Sequence, residues 1–365
     1  MARTKSSPPS RSDRGGTVAT ASAAARDAEA PEFRGRHLAL GSDGTLRVAA
    51  LDGDELHEWS GPKALAHVKE VRKRPDVPVW IDYTAPNPDQ VAAVAKAVNL
   101  HPLIVEDIVE GNQRSKIEST DGLVHIVLFA LQFDADVIAS EIDVVLGRGF
   151  LFTVHEPDWD PLKTSHLRGG VGAVLRKGPD HLLWALADSI VDGYFPFADR
   201  LGDAIDAVQD DVIERASPEV LERLFRLKRE LLAVRRAAAP VREIFAQLTN
   251  RDLALIDDEE VIYFRDIYDH VIRLTDELDN YRELASATLD VYLSTINNNL
   301  SLIMKRLTGV TVIVAGIAAV AGVFGMSEAG SALAGQEAMG FWIVTAGTVA
   351  AAGVVALVLR KIDWI

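Results

Sequence analysis

A chain of 365 residues that is 48% hydrophobic and 25% charged has room for two domains and enough apolar content for a core plus membrane segments. Its formal charge of -15 excludes the basic surface that nucleic acid requires and points to cations as partners. The absence of cysteine excludes both a disulfide framework and a thiolate metal site.

Residues 1–32 are rich in Ser, Ala, Arg and Pro, carry Arg3, Lys5, Arg11 and Arg14, and contain almost no large apolar side chain, which predicts a disordered tail. Pro8-Pro9 and Gly15-Gly16 interrupt the amphipathic helix of a transit peptide, and no apolar stretch suits a secretory signal. His37–Leu40 and Thr45–Leu51 read as a hairpin about Ser42-Asp43-Gly44, with Val77–Tyr83 as a third strand. Asn87-Pro88 starts a helix through Val98, and Pro102 starts another through Glu110 that carries Glu106 and Asp107. Leu123–Phe133, Glu141–Leu146 and Phe150–His155 read as strands. Two groups of strands separated by helices predict an α/β cytosolic domain over 33–256, a mixed sheet with helices packed on it.

From His181 the pattern is helical, and one face collects Asp188, Asp192, Asp199, Asp203, Asp206, Asp210 and Glu214, a column that repels itself. The helix from Pro218 to Leu248 carries Arg223, Arg226, Lys228, Arg229, Arg235, Arg236 and Arg242. The pair reads either as a charge-complementary hairpin or as an acidic surface that concentrates cations. His125, His155 and His270 are scattered and read as core or surface histidines. Asp266 and Asp269 beside Asp107 resemble a hydrolytic carboxylate pair, but no nucleophile and base stand at a recognisable spacing, so an enzyme is not indicated.

Between Pro240 and Gly309 there is neither proline nor glycine, and Asp257-Asp258-Glu259-Glu260 suits a helix N-terminus. One helix of roughly 100 Å is predicted from there to Phe324, a stalk over 257–306 followed by a membrane span over 307–326. A short outer loop, 327–337, leads to a second uncharged run, 338–359, and a tail, 360–365. Lys305 and Arg306 precede the first span and Arg360 and Lys361 follow the second, while the loop carries only Glu328 and Glu337. The positive-inside rule then puts both termini in the cytoplasm of a cell (inner) membrane.

Along the second half of this helix, steps of four and three give Asp290, Ser294, Asn297, Ser301, Met304, Thr308, Thr311, Ala315, Ala318, Gly322 and Gly325. Small residues in a span let neighbouring helices pack closely. A coiled-coil seam would put Leu or Ile here, yet Leu300, Ile303, Leu307 and Ile313 fall mostly off the stripe. Copies arranged about an axis would place the stripe on a water-filled path, with Met304 and Leu307 as narrow apolar rings.

The runs YRELASATLDVYLSTINNNLSLIMKRL, AGVFGMSEAG and LRKIDWI, with HPLIVEDIVEGNQRSKIE and YFRDIYDH upstream, resemble the CorA family of divalent-cation channels from about residue 80 onward. The family ends its first membrane helix at Gly-Met-Asn; here the matching residues are Gly325, Met326 and Ser327. The resemblance implies a homopentamer in the lipid bilayer that conducts Mg2+, with Co2+ or Ni2+ as further ions, and has no nucleic-acid partner. It places family pore positions on Asp290, Ser301, Met304, Leu307, Ala315, Ala318, Gly322 and Ser327; Asn297 and Thr308 join them from the stripe. It also implies that Asp107, beside Glu106, meets Asp266 of a neighbouring subunit and binds regulatory Mg2+, with Asp188 contributing to an adjacent site. The alternative for Asp107 and Asp266 is ion pairing with Lys116 and Arg265. ZntB-type zinc transporters are similar in architecture, so Zn2+ transport is the second reading, and a non-conducting cation sensor the third. Mg2+ gives up water reluctantly, which suits a mouth ring of Asn amides around the hydrated ion. Serine leaves a wider, weaker ring, with Gly325 carbonyls and Glu328 to compensate.

Overall fold

Alternating β-branched and aromatic residues form the strands of a mixed sheet: β1 (Thr45–Asp52), β2 (Glu55–Ser60), β3 (Val79–Thr84), β4 (Lys116–Thr120), β5 (Leu123–Asp134), β6 (Asp136–Gly147) and β7 (Phe150–His155). Their order is β2-β1-β3-β7-β6-β5-β4. Only β3 and β7 pair in parallel; the other neighbours are antiparallel. The structure is a computed structural model that describes residues 44–111, 114–134, 136–250, 253–325, 337–362 and 364. The tail 1–32, the segment His37–Leu40, and Met326 and Ser327 lie outside the described residues.

Among the described residues β1 pairs with β3 on one side and with β2 on the other, and β2 follows a two-residue Gly53-Asp54 loop with Asp52 opposite Glu55. Gly53 has φ +61°, which glycine adopts at no steric cost and which the first position of such a turn demands. ELHEWS is an edge strand, too polar to read as one, but the Gly-Asp pair was its signal.

Helices α1 (Ala64–Val71), α2 (Pro88–Val98) and α3 (Pro102–Glu110) cover one sheet face, burying Val68, Val91, Val94, Ile104 and Ile108 with Val48, Ile81 and Phe152. The start of α2 is a capping box: Asn87 Oδ1 accepts the Gln90 N–H at 3.0 Å, and Gln90 Oε1 accepts the Asn87 N–H at 2.9 Å. Two short 3-10 turns, Pro161–Lys163 and Ser165–Gly169, lead to α4 (Val171–Leu175) and α5 (Pro179–Asp192). α5 lies on β5, β6 and β7. Val124, Ile126, Leu128, Val144 and Leu151 are all buried, so both faces of the sheet are covered.

The acidic column does not run along one helix. Gly193 and Tyr194 separate α5 from α6 (Phe195–Glu214), and the Tyr194 side chain is fully buried with its hydroxyl donating to the Phe129 carbonyl at 2.5 Å. Asp188 is thereby left in α5, buried, while Asp199 and its successors belong to α6. The helix α7 spans Pro218–Leu248. Arg223 pairs with Asp211 of α6, whereas Arg235 turns to Asp279 of the next helix, 2.8 Å away.

That next helix, α8, runs unbroken from Val261 to Gly325, and α9 spans Glu337–Lys361. The described chain divides into two compact units, residues up to Ala204 with Arg226–Arg282, and Ile205–Phe225 with Glu283 onward. In the first unit α8 buries Phe264, Ile267, Val271, Leu274 and Leu278; in the second it buries Ala285, Thr288 and Tyr292. Thr288 accepts a hydrogen bond from Gln209 Nε2 at 3.1 Å within that second unit. Beyond Tyr292 most of the large apolar residues of α8, from Leu293 to Val323, are exposed, Ile313 and Val320 being half-buried.

Replacing Asn87 with Ala removes one half of the capping box that starts α2. A loss of about 1 kcal/mol in stability is expected, read as a lower midpoint in denaturant unfolding.

Candidate functional site

The start of α8 is fastened to α5 by side chains. His181 Nδ1 donates to Glu260 Oε2 at 2.7 Å, and Asp180 Oδ2 accepts the Asp257 N–H at 3.0 Å. Trp184 of α5 packs on Tyr263 of α8 with ring centroids 4.8 Å apart. Burial pushes the Asp180 carboxyl up, while the Asp257 N–H pulls the other way. The two helices advance together along the seam, 181 with 260 and 184 with 263, so the end of α5 meets α8 near His270.

There Asp188, Asp192 and His270 each bring a donor atom within 4.8 Å of the others. Asp188 is held by His166, whose Nε2 donates to its Oδ2 at 2.7 Å and whose ring leans on Trp184 at 4.5 Å. Such a hydrogen bond fixes a ligating carboxylate in place. The Nδ1 of His270 is buried and has no hydrogen-bond partner, while its Nε2 lies 3.8 Å from Asp266 Oδ2. Partial burial of Asp192 and then the adjacent Asp188 raise its pKa, with His270 and His166 opposing and Asp266 adding to the rise. Crowded carboxylates of this kind are relieved by a cation. The donor set fits a divalent metal: carboxylate oxygens suit Mg2+, and the imidazole adds preference for Co2+, Ni2+ or Zn2+.

Sequence reasoning placed Asp188 at a metal site but missed Asp192, His166 and His270. His270, read as a scattered histidine, sits inside the cluster because the α5–α8 seam carries it there. No local spacing reveals that.

A second cluster surrounds Asp107. Glu118 of β4 stands opposite His125 of β5, so both point to the sheet face that α3 covers, and donor atoms of Asp107, Glu118 and His125 lie within 4.8 Å of one another. Lys116 Nζ is 2.6 Å from Asp107 Oδ2 and 3.0 Å from Glu118 Oε1. His125 is fully buried, with Nε2 2.9 Å from Asp143 Oδ1 and Nδ1 without a hydrogen-bond partner. Asp107 is therefore paired with Lys116, as the alternative reading had it. Glu106 and Asp266 are exposed, and within one chain Asp266 lies beside His270 and is not part of the Asp107 cluster.

The polar stripe occupies the second unit. Asp290, Asn297, Ser301, Met304, Leu307, Thr308, Ala315, Ala318 and Gly322 are all exposed, and Gly325 is the last residue of α8. At 100° per residue, Asp290, Ser294, Asn297 and Ser301 lie on the side of α8 opposite the seam of Ala285, Thr288 and Tyr292. Thr311, by contrast, turns its hydroxyl to its own helix, donating to the Leu307 carbonyl at 2.7 Å. Among the described residues α8 is the one helix long and apolar enough to cross a membrane.

Residues 75–361 match the family described as CorA-like Mg2+ transporter protein. The cobalt/magnesium transport protein CorA of Thermotoga maritima is 34% identical over 257 residues, 68% of this chain and 73% of that protein. The zinc transport protein ZntB of Yersinia pseudotuberculosis is 25% identical over 217 residues, 55% of this chain and 62% of that one. The fold superposes on the complete structure of the CorA magnesium transporter from Methanocaldococcus jannaschii with a TM-score of 0.69 and 21% identity, covering 87% of this chain and 98% of the other.

His270→Ala removes the nitrogen donor from the α5–α8 cluster and leaves its carboxylates. Calorimetric titration of the purified protein is expected to show Co2+ affinity falling at least ~10-fold at this site while Mg2+ affinity changes little.

Proposed function

Because the chain belongs to the CorA-like Mg2+ transporter family, we propose that it is a homopentameric channel of the cell membrane that passes Mg2+, with Co2+ and Ni2+ as further ions, and closes when intracellular Mg2+ is high. The family transports divalent cations and is not an enzyme family. One observation carries the channel reading. The second half of α8 is apolar and uncovered by its own chain, yet it keeps a polar stripe on the side turned away from its own packing seam. Lipid suits the apolar sides of 307–325, and the stripe of Asp290, Asn297 and Ser301 just before the span suits a water-filled axis between copies that leads into it.

In this reading Asp290, Asn297, Ser301, Met304, Leu307, Thr308, Ala315, Ala318, Gly322 and the Gly325-Met326-Ser327 mouth line the path, with both termini cytoplasmic. Zinc as the transported ion is the second reading, favoured by the likeness to ZntB. Asp107, with Glu106 beside it, meets Asp266 of the next subunit. Leu103 is 60% exposed one turn before Asp107, and Ile262 is 66% exposed one turn before Asp266, so each carboxylate stands beside an uncovered apolar residue of the kind an interface buries. A cation bridging carboxylates that otherwise repel holds the subunits together at high Mg2+, and its loss releases them. The Asp188 cluster is the adjacent site.

Flux of Mg2+, Co2+, Ni2+ and Zn2+ into liposomes holding the pure protein tests conduction. Asp107→Asn combined with Asp266→Asn is expected to abolish Mg2+-dependent protection of α8 from protease and to leave flux less inhibited by internal Mg2+. Wild-type protection in the double variant over the whole Mg2+ range would show that these carboxylates are not the sensor.

At the mouth, Ser327→Asn restores the longer amide ring. Apparent Mg2+ affinity in the same flux measurement is expected to rise; an unchanged value would remove the mouth ring as the filter.

A further inference from the structure

Lys116 stands where the regulatory cation would act. Its ammonium lies between Asp107 and Glu118, 2.6 Å and 3.0 Å from their oxygens, and its side chain is only 17% exposed, unlike a lysine waving in solvent. Lysine ordinarily titrates far above neutral pH, so an ammonium held by two carboxylates keeps its charge there. The stem is anchored in β4, which is paired to β5 at Lys116–Val127 and Glu118–His125. The ammonium therefore stays near Asp107 whatever else binds there.

We propose that Lys116 is a tethered monovalent cation that competes with the divalent ion for Asp107 and thereby sets the Mg2+ concentration at which the channel closes. This rests on the reading of Asp107 as a regulatory ligand. Asp107, Glu118 and His125 hold donor atoms within 4.8 Å of one another, close enough to hold a metal by themselves, and Lys116 fills that space with a permanent charge. An incoming divalent ion must break the Lys116–Asp107 pair and accept a positive neighbour. Glu118 makes this possible without expelling Lys116 to water, because the ammonium keeps one of its two acceptors when Asp107 turns to the metal. Asp107 thus binds weakly and responds to millimolar changes, where an unopposed carboxylate cluster would remain filled.

The test is Mg2+ titration of protease protection in the full-length protein, with Lys116→Gln and Lys116→Arg against wild type. A like charge about 4 Å from a divalent ion in a solvent-accessible site opposes binding enough that its removal tightens binding about tenfold. Lys116→Gln is therefore expected to lower the half-protecting Mg2+ concentration about tenfold, and Lys116→Arg to leave it within about twofold. A midpoint in Lys116→Gln that is unmoved or higher overturns the proposal. Thermal unfolding in chelator checks that the variant is folded. The Asp107→Asn, Asp266→Asn variant separates the two levels. If it keeps protection, the regulatory reading falls and this inference with it; if it loses protection while Lys116→Gln leaves the midpoint unmoved, only the role of Lys116 falls.

Discussion

The chain covers α8 as far as Tyr292 and then stops. Up to that residue a seam at steps of three and four is buried by the chain's own helices; after it Leu300, Ile303, Leu307, Val310 and Val314 are each at least half exposed. A helix satisfies its own backbone, so it can enter lipid, but side chains of this size each gain about 1.5–3 kcal/mol when removed from water. The segment has no reason to be stable in water as a single copy. Its polar stripe, Asp290, Asn297 and Ser301, stands just before the span on the side away from the buried seam, where it keeps its water. Lipid around the span and water along the stripe meet both demands, and much else about the molecule follows from this.

The two carboxylate clusters differ in their resting charge. Around Asp107 an ammonium already compensates the carboxylates, and the site is satisfied without metal. Around Asp188 the compensating groups are imidazoles, which are charged only when protonated, and burial first and then the Asp188 charge hold the Asp192 carboxyl up against them. The Asp107 cluster is thus compensated by a permanent charge and the Asp188 cluster by groups whose charge depends on protonation, which would suit Mg2+, an ion that keeps most of its water, to the first and an ion that favours nitrogen to the second.

How far the sequence revealed all this depends on whether the signal was local. α8 was legible because no proline or glycine stands between Val261 and Gly309 and Asp257-Asp258-Glu259-Glu260 marks its start, and α2 because Asn87, Pro88 and Gln90 form a complete start signal. β5 and β7 were legible as runs of branched and aromatic residues, whereas the polar edge strand β2 was hidden by its glutamates and histidine. The acidic column failed for a subtler reason: the break at Gly193-Tyr194 is short, so helical periodicity appears to continue through it. Asp192 and His270 are distant in sequence, and their meeting depends on the pairing of His181 with Glu260 and of Asp180 with the Asp257 N–H. The periodicity of the stripe could be read directly; the side of α8 opposite the buried seam could be identified only once Ala285, Thr288 and Tyr292 were seen to be buried.

The place of His270 and Asp266 on α8 links the two kinds of site. They are one turn apart, 3.8 Å between Nε2 and Oδ2, with His270 half-buried toward α5 and Asp266 exposed. Burial does most to hold the Asp192 carboxyl up, and the Asp266 charge adds to it. A cation on Asp266 cancels that charge and weakens the pull on a second cation at Asp188 and Asp192, because two divalent ions this close repel strongly in a partly buried setting. In the proposed sensor, filling the outer position would therefore make the inner one harder to fill, and both lie on α8, whose start is fastened to α5.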